Sequence, residues 1–326
     1  PPPPPPPPPF FFSPPPPPTP DPLWSRGLGD VYKRQIHGCI TALITPFKAN
    51  GKLDEIGLEK LIVRQIKSGV HGIVPCGTTG ESPTLSHEEH QEVIKIAIDI
   101  TKKKIPVIAG TGSNSTHEAL EMTASAENAG ADATLQVVPY YNKPNQLGLF
   151  KHFSNISTNT SLPIILYNIP GRSVVSLEIE TINKLSLEHK NIVGIKEASG
   201  DISTTRKIKK SCPKDFVILS GEDSLNLSIL EEGGSGFISV TSNLIPEKCS
   251  ALYNSFQKSE SLIAKKINSD IAKLNELLFV DTNPIPIKFA MSKLGLCINS
   301  LRLPLTTLDE EKASELLIEL KRMQLA

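Results

Sequence analysis

The sequence predicts an α/β protein with a (β/α)8 TIM barrel and a C-terminal appendix of three helices. From residue 36 to residue 256, eight short apolar runs alternate with eight longer amphipathic runs, the number that a closed barrel of parallel strands and covering helices needs. The short runs are continuously apolar, as expected for strands buried on both faces. After residue 256 the alternation stops, and only helical patterns follow. A doubly wound sheet is the alternative, because the number of alternations does not show that the sheet closes.

The predicted strands are short runs rich in apolar residues and bounded by turn residues. They occupy residues 38–44, 72–75, 106–109, 133–138, 163–167, 192–196, 217–220 and 236–240. Helical spacing of apolar residues predicts helices near residues 54–68, 86–102, 115–129, 145–159, 177–187, 202–211, 223–232 and 246–256. We therefore assign residues 36–256 to the barrel.

The C-terminal region, residues 257–326, is predicted to contain only helices. Helical patterns lie near residues 260–278, 285–294 and 309–324. Pro284, Pro286 and Pro304 separate them, since proline cannot continue a helix from within.

Residues 1–35 differ from the rest of the chain in composition. Sixteen of the 29 prolines lie in the first 22 residues, interrupted by three consecutive phenylalanines. One interpretation is a polyproline II ligand for SH3-type grooves. The other is an artefact, because homopolymeric coding sequence yields such runs and Gly-Asp-Val-Tyr-Lys-Arg-Gln resembles translated adaptor sequence. The sequence favours the artefact, and we predict a disordered tail.

Charge and cysteine content exclude several classes of protein. The 34 basic and 34 acidic side chains balance, so nothing favours nucleic acid or a membrane surface as a partner. The apolar runs are too short to span a bilayer. The five cysteines are far apart and form no CxxC pair. This predicts a reducing, cytoplasmic location and neither a disulfide scaffold nor a metal site.

Lys196, at the end of the sixth predicted strand, is the most informative single residue. In such a barrel the active site lies at the carboxyl ends of the strands. Period-two alternation places Ile192, Gly194 and Lys196 on one face, where Gly194 would leave space beside the amine. Burial disfavours the charged form of lysine, and a neutral amine can form a Schiff base with a ketone. The alternative is a lysine that snorkels to solvent or pairs with a carboxylate.

Two glycine-containing segments could bind anions. Residues 77–80, Gly-Thr-Thr-Gly, follow the second strand and could form an anion cradle near a helix start, or a plain turn. Residues 110–112, Gly-Thr-Gly, resemble the start of a dinucleotide fingerprint. However, Ser115 stands at the third glycine position, and Asp132 precedes the next strand instead of ending it. NAD binding is therefore not predicted.

Together, the residues at the strand ends resemble the 4-hydroxy-tetrahydrodipicolinate synthase (dihydrodipicolinate synthase) family. The resemblance extends from about residue 36 to the C-terminus. The motifs that carry it are Gly-Thr-Thr-Gly-Glu-Ser at 77–82, Pro-Tyr-Tyr-Asn-Lys-Pro at 139–144, Tyr-Asn-Ile-Pro-Gly-Arg at 167–172, Gly-Ile-Lys-Glu-Ala at 194–198 and Asn-Pro-Ile-Pro-Ile-Lys at 283–288. Some of these are shared with other pyruvate-dependent class I aldolases.

The resemblance implies the catalytic residues. Lys196 would form a Schiff base with pyruvate, and hydroxyls of Tyr167, Thr78 and Tyr141 would form a proton relay. In the family, the residue matching Tyr141 reaches into the active site of a neighbouring subunit. No metal or organic cofactor is implied, since the covalent imine on Lys196 carries the chemistry.

The substrate-binding residues are implied in the same way. Thr78 and Thr79 would hold the carboxylate of pyruvate, while Arg172 would bind the carboxylate of aspartate semialdehyde. Gly221 and Ile238 would line the pocket.

The resemblance also implies a homo-oligomer, a tetramer built from dimers, and a site for L-lysine as an inhibitor where two subunits meet. Its residues would be Ser82, Pro83, His87, His90, Asn114, Glu118 and Tyr140. Pro83 departs from the small residue common in some relatives. The simpler interpretation of His87 and His90, three residues apart at a helix start, is an exposed helix face.

Two other functions are alternatives to the condensation of pyruvate with aspartate semialdehyde. One is a sister pyruvate aldolase, such as N-acetylneuraminate lyase or a 2-keto-3-deoxy sugar acid aldolase. Arg172 argues against it, because a polyhydroxylated substrate needs more hydroxyl partners. The other is an inactive paralogue that only binds keto acids, which the intact Lys196, Tyr167, Thr78 and Tyr141 argue against.

Overall fold

The structure, a computed structural model, describes residues 36–326. The tail predicted for residues 1–35 lies outside the described residues. The described part begins with a regular alternation of strands and helices. The strands are β1 (Gly38–Ala42), β2 (Gly72–Val74), β3 (Ile108–Gly110), β4 (Ala133–Val137), β5 (Ile164–Asn168), β6 (Ile192–Glu197), β7 (Val217–Ser220) and β8 (Gly236–Ser239). The helices that follow them are α1 (Glu55–Lys67), α2 (His87–Thr101), α3 (Thr116–Ala129), α4 (Gln146–Thr158), α5 (Ile179–Glu188), α6 (Ile202–Ser211), α7 (Asn226–Glu231) and α8 (Pro246–Gln257).

The strands form a closed parallel barrel. Their order in the sheet is β2-β1-β8-β7-β6-β5-β4-β3, and each pair of neighbours is parallel. The two ends of this sheet meet where Ile73 of β2 bridges to Val107, with a hydrogen bond of 3.1 Å from the Ile73 amide to the Pro106 carbonyl. The predicted TIM barrel is therefore confirmed, and the doubly wound alternative is wrong.

Apolar side chains fill both sides of the barrel wall. Alternating residues of the strands, such as Ile40, Ile108 and Leu219, pack inside the barrel. The intervening residues pack against the surrounding helices, as Ile195 does. Five of the eight barrel helices begin at a Ser, Asn or Asp whose side chain accepts a hydrogen bond from the first turn, which explains where these helices start: Asp54, Ser86, Ser115, Asn145 and Asp201.

Strand β6 departs from regular alternation. Its pairing with β5 shifts register, so that Ile164 pairs with Ile192 whereas Ile165 pairs with Gly194. Because of this bulge, Ile192 packs on the helix side of the wall and Val193 packs inside. The prediction that Ile192 shares a face with Lys196 is therefore wrong.

Three helices follow the barrel: α9 (Ser261–Leu277), α10 (Ile285–Lys293) and α11 (Glu310–Arg322). Their apolar residues, including Leu274, Ile287 and Leu316, share one core with Leu43 and Phe47 of the barrel. The predicted three-helix appendix is therefore present and packs on the barrel through a continuous core. Among residues 36–326, no helix combines the length and the apolar character needed to cross a bilayer.

Candidate active site

Lys196 is buried at the carboxyl end of β6, with 6% of its surface exposed. It pairs in register with Tyr167 of β5, and its Nζ lies 4.2 Å from the centre of the Tyr167 ring. The ion pairs within residues 36–326 do not include Lys196. The alternatives of a snorkelling or salt-bridged lysine therefore do not describe it. An amine at the end of a barrel strand, outside the ion pairs described for residues 36–326, can attack a carbonyl group.

The space beside Lys196 comes from Gly221 and not from Gly194. A Cβ atom added at Gly194 would lie 2.5 Å from the carbonyl oxygen of Val217, so this glycine permits the close approach of β7. A Cβ added at Gly221 would lie 2.9 Å from Cε of Lys196 and 2.7 Å from Cβ of Ala198. The prediction for Gly194 is therefore wrong, and the room around the lysine side chain depends on Gly221.

The loop after β2 is a tight turn bounded by two strained residues. The amides of Gly80 and Glu81 donate within the turn, to the carbonyls of Gly77 (3.0 Å) and Thr78 (3.1 Å). Cys76 and Glu81 have left-handed backbones, with φ of 55° and 54°, which side chains other than glycine adopt rarely. A 3-10 turn, Ser82–Thr84, follows this loop directly, and helix α2 begins at His87. Donors for an anion would be the amides and hydroxyls of Thr78 and Thr79.

Asn283, in the C-terminal region, forms hydrogen bonds with both Arg172 and Thr79. Arg172 lies in the helical turn Pro170–Ser173 after β5, is exposed, and donates from Nη2 to the main-chain oxygen of Asn283 at 3.2 Å. The side-chain amide of Asn283 donates to the Thr79 hydroxyl at 2.9 Å. Ile238 is buried on β8 among the interior side chains that include Tyr167.

Tyr141 is exposed to solvent in this chain, unlike the buried Lys196 and Tyr167. Its side chain is 89% exposed, and its backbone is left-handed with φ of 72°. The surrounding loop is held in place, because the Asn114 side chain donates to the Tyr140 carbonyl at 3.1 Å and the Asn142 side chain donates to the Asn114 carbonyl at 2.8 Å. Within this chain, Tyr141 therefore lies on a loop that is held in place, with its side chain open to solvent.

A cavity of about 380 Å³ opens at the barrel mouth. Thr78, Tyr167 and Arg172 line one part of it. The same cavity is lined by six of the seven residues of the expected inhibitor site: Ser82, Pro83, His87, His90, Glu118 and Tyr140. The remaining candidates, Lys196, Thr79, Gly221, Ile238, Tyr141 and Asn114, are not part of its lining. Thr78, Tyr167 and Arg172 therefore face the same space as six of the expected inhibitor residues, whereas Lys196 does not line it.

Glu118 is the carboxylate among the expected inhibitor residues that line this cavity. It accepts hydrogen bonds from Ser113 and, at 2.9 Å, from His87, and these bonds lower the pKa of Glu118. The same contact raises the pKa of His87. His90, by contrast, is buried and bonds the Gly110 carbonyl at 2.8 Å, and burial lowers its pKa. The simpler interpretation of both histidines as an exposed helix face is wrong for His90.

Sequence reasoning missed a buried ion pair beneath the loop after β2. Lys288 of α10 is fully buried and pairs with Glu81, whose other oxygen accepts from the Arg302 amide at 3.0 Å. Burial lowers the pKa of Lys288, while the Glu81 charge opposes this shift. Lys288 and Asn283 belong to a motif that carries the family resemblance, but their contacts could not be inferred from it. Nothing in the sequence indicated Arg302.

Glu222, next to Gly221, is another residue to which the sequence assigns no role. Burial raises its pKa, the charge of Asp223 adds to the shift, and Lys196 opposes it. Among residues 36–326, no three or more His, Cys, Asp and Glu side chains are grouped as a metal site would require.

Comparison with known proteins gives one consistent result. Residues 35–323 match the Dihydrodipicolinate synthetase family. A 4-hydroxy-tetrahydrodipicolinate synthase from Thermodesulfovibrio yellowstonii is 48% identical over 283 residues, which are 86% of this chain and 97% of that protein. The synthase from Methanopyrus kandleri is 49% identical over 292 residues, which are 89% of this chain and 97% of that protein.

Solved structures agree. The dihydrodipicolinate synthase from Acinetobacter baumannii complexed with pyruvate has a TM-score of 0.87 and 43% identity, over 89% of this chain and all of that one. DHDPS from Cyanidioschyzon merolae with lysine bound has a TM-score of 0.86 and 39% identity, over 90% of this chain and 99% of that one. The chain therefore belongs to the dihydrodipicolinate synthetase family, as its sequence motifs indicate.

Proposed function

We infer that this protein is a lyase of lysine biosynthesis that condenses pyruvate with L-aspartate 4-semialdehyde, the 4-hydroxy-tetrahydrodipicolinate synthase reaction of the diaminopimelate route. Its relatives carry the name of that activity. The observation that carries the inference is the buried amine of Lys196, which lies against the Tyr167 ring and belongs to none of the ion pairs described within residues 36–326. The cytoplasm, where we propose that it acts, is consistent with five unpaired cysteines.

We propose that Lys196 is the nucleophile. Its amine attacks the keto carbon of pyruvate, and loss of water gives the imine. Loss of a methyl proton then gives an enamine, whose carbon attacks the aldehyde of the second substrate. The amine of that substrate closes the ring and releases Lys196, so no metal or organic cofactor is required.

We propose that three hydroxyls move the protons of these steps. Tyr167 and Thr78 line the same cavity, and Tyr141 would complete the relay from a neighbouring subunit. The 89% exposure of Tyr141 supports that assignment, because a relay works only at hydrogen-bond distance. The assembly would be a homotetramer built from dimers. A monomeric variant of a dihydrodipicolinate synthase is known, so the oligomer is a proposal for this chain.

The substrates' carboxylates would be bound at two places. Thr78 and Thr79 would hold pyruvate, and the guanidinium of Arg172, which is always charged, would bind aspartate semialdehyde. Gly221 and Ile238 would shape the space near Lys196. The pyruvate complex of the Acinetobacter baumannii enzyme supports pyruvate as the first substrate.

We propose L-lysine as an inhibitor that binds near Glu118. The Glu118 carboxylate, with its lowered pKa, offers a negative charge for an ammonium group. The lysine-bound structure from Cyanidioschyzon merolae supports this ligand. The other residues of the site would be Ser82, Pro83, His87, His90, Asn114 and Tyr140.

A coupled assay tests the proposed reaction. Pyruvate and aspartate semialdehyde are supplied with a reductase that consumes the product, with and without L-lysine. We expect turnover that Lys196→Ala abolishes without a change in the circular dichroism of the barrel. Turnover with a sugar aldehyde in place of aspartate semialdehyde would favour a sister aldolase, and no turnover with either would favour an inactive keto-acid-binding protein.

A further inference from the structure

Asn283 connects both proposed substrate-binding groups to the C-terminal region. It precedes α10 and is 6% exposed. Its side chain contacts Thr79 of the loop after β2, and its main-chain oxygen contacts Arg172 of the loop after β5. These partners lie 204 and 111 residues away in the sequence. One buried residue outside the barrel therefore contacts two loops at the barrel mouth.

The direction of the bond to Thr79 has a chemical consequence. The amide Nδ2 of Asn283 donates, and Oγ1 of Thr79 accepts, at 2.9 Å. A hydroxyl group that accepts from an amide still has its own hydrogen, which is then directed to another acceptor. Donation into the oxygen also polarises the hydroxyl and strengthens its next hydrogen bond. Thr79 is thus prepared to donate to an anion such as a carboxylate.

A second observation concerns the other polar atom of the Asn283 side chain. Its side-chain Oδ1 is buried and has no hydrogen-bond partner among residues 36–326. Leaving a buried acceptor unpaired costs about 1–3 kcal/mol, which an apolar side chain at this position would avoid. Polar groups kept at such a cost are typical of functional sites.

The loop that Asn283 contacts is anchored independently by the next turn of the same region. Lys288 pairs with Glu81 and also donates to the Ser300 carbonyl at 2.9 Å. Loss of the Asn283 side chain therefore leaves the loop attached to α10. Its effect should fall on the hydroxyl of Thr79 more than on the loop backbone.

We propose that Asn283 is a positioning residue: its side chain orients the Thr79 hydroxyl as a donor to the pyruvate carboxylate, while its main-chain oxygen anchors Arg172. The proposal rests on the proposed function, because it assigns Thr79 to pyruvate. It predicts that side-chain substitutions weaken pyruvate binding and spare the aldehyde substrate, since the anchor of Arg172 belongs to the main chain.

Two substitutions separate orientation from packing. In Asn283→Ala the Thr79 hydroxyl rotates freely, and we expect the pyruvate KM to rise about three- to tenfold, the loss of one hydrogen bond. Asn283→Asp keeps the shape, but its carboxylate accepts the Thr79 hydrogen and repels the substrate. There we expect a rise of about tenfold or more. The KM of aspartate semialdehyde should stay within about twofold in both variants, because the contact of Arg172 is retained.

Two controls complete the design. Asn275→Ala removes another buried asparagine of the C-terminal region, which contacts Thr241 and Asp223 instead; it should lower stability without changing the pyruvate KM. In a Thr79→Val background, Asn283→Ala should add little further loss, because its partner is already gone.

Pyruvate binding is read out by reductive trapping, which needs no second substrate, and the KM of aspartate semialdehyde is measured in the coupled assay. Borohydride reduces the pyruvate imine, and the dependence of trapping on pyruvate concentration gives half-saturation directly. No trapping in the unaltered chain would contradict the proposed function itself. Normal trapping with an unchanged half-saturation in Asn283→Asp would overturn the role of Asn283 alone. Equal increases in the KM of both substrates, in step with lost stability, would also overturn it, since they would indicate a structural role only.

Discussion

Two buried lysines of this chain show how surroundings decide chemistry. Lys288 lies against Glu81 and the Phe47 ring, so its charge is compensated and its role is to hold the loop after β2. Lys196 lies against the Tyr167 ring without a carboxylate partner among the described ion pairs. A lysine at a buried strand end could be predicted from the sequence. Its freedom from ion pairs could not, because partners come from distant segments.

His152 should make stability depend on pH. It is buried, its Nδ1 bonds the Thr116 hydroxyl at 2.9 Å, and burial lowers its pKa from 6.5 to about 4. Between these values the unfolded chain binds more protons than the folded chain. The free energy of unfolding should therefore fall as the pH drops from about 6.5 to about 4, by roughly 3 kcal/mol in total from this residue.

Urea unfolding of His152→Leu against the unaltered chain tests this. We expect the variant to lose less stability than the parent between pH 7 and pH 5, whatever its stability at pH 7. His117→Gln, at an exposed position on α3, is the matched control. Its free energy of unfolding should depend on pH as that of the parent does. If the free energy of unfolding depends on pH equally in the parent and in His152→Leu, His152 is not the source of the pH dependence.

At the level of elements, continuous apolar runs predict the positions of the strands, but they do not predict how neighbouring strands pair. The bulge in β6 arises from its register with β5, which periodicity within one segment does not contain. Residues 223–232 were predicted as one helix. The structure instead has a 3-10 turn, Asp223–Leu225, before α7. The Asp223 carboxylate accepts from the amides of Val240 and Thr241, a tertiary contact that fixes this turn.

Gly194 and Gly221 should respond differently to alanine. Gly194→Ala places Cβ against the backbone of β7, which cannot give way cheaply, so we expect lost stability of about 1–3 kcal/mol. Gly221→Ala places Cβ against the Cε of Lys196 and should displace the amine. Because displacements of about 1 Å can cost roughly 100-fold in rate, we expect imine formation to slow at least about tenfold.

Thermal unfolding and single-turnover reduction of the imine distinguish the two variants. A Gly221→Ala protein with normal trapping kinetics would show that the glycine does not set the position of Lys196. Loss of stability in Gly221→Ala equal to that in Gly194→Ala, with proportional loss of trapping, would show that both act through packing alone.

For the whole molecule, the sequence sufficed for the barrel, the three C-terminal helices and the family. What it could not provide is how the C-terminal region meets the active site. Asn283, Lys288 and Arg302 contact loops some 200 residues earlier in the chain. Such contacts depend on the closed fold and leave no periodic signal. The same limit applies to Tyr141, because the role proposed for it depends on a neighbouring subunit and the residue is 89% exposed in this chain.

If Lys196 alone carries the reaction, the trapped pyruvate adduct should map to a single peptide of the chain. Borohydride added with pyruvate should leave a modification of about 72 Da, the mass of pyruvate less water plus two hydrogens, on the peptide that contains Lys196. Lys288, which is fully buried and paired with Glu81, serves as an internal control in the same digest and should stay unmodified. We expect the modification to be confined to Lys196 and to be lost in Lys196→Ala. An adduct on Lys288 or another lysine, or none in the folded protein, would contradict it.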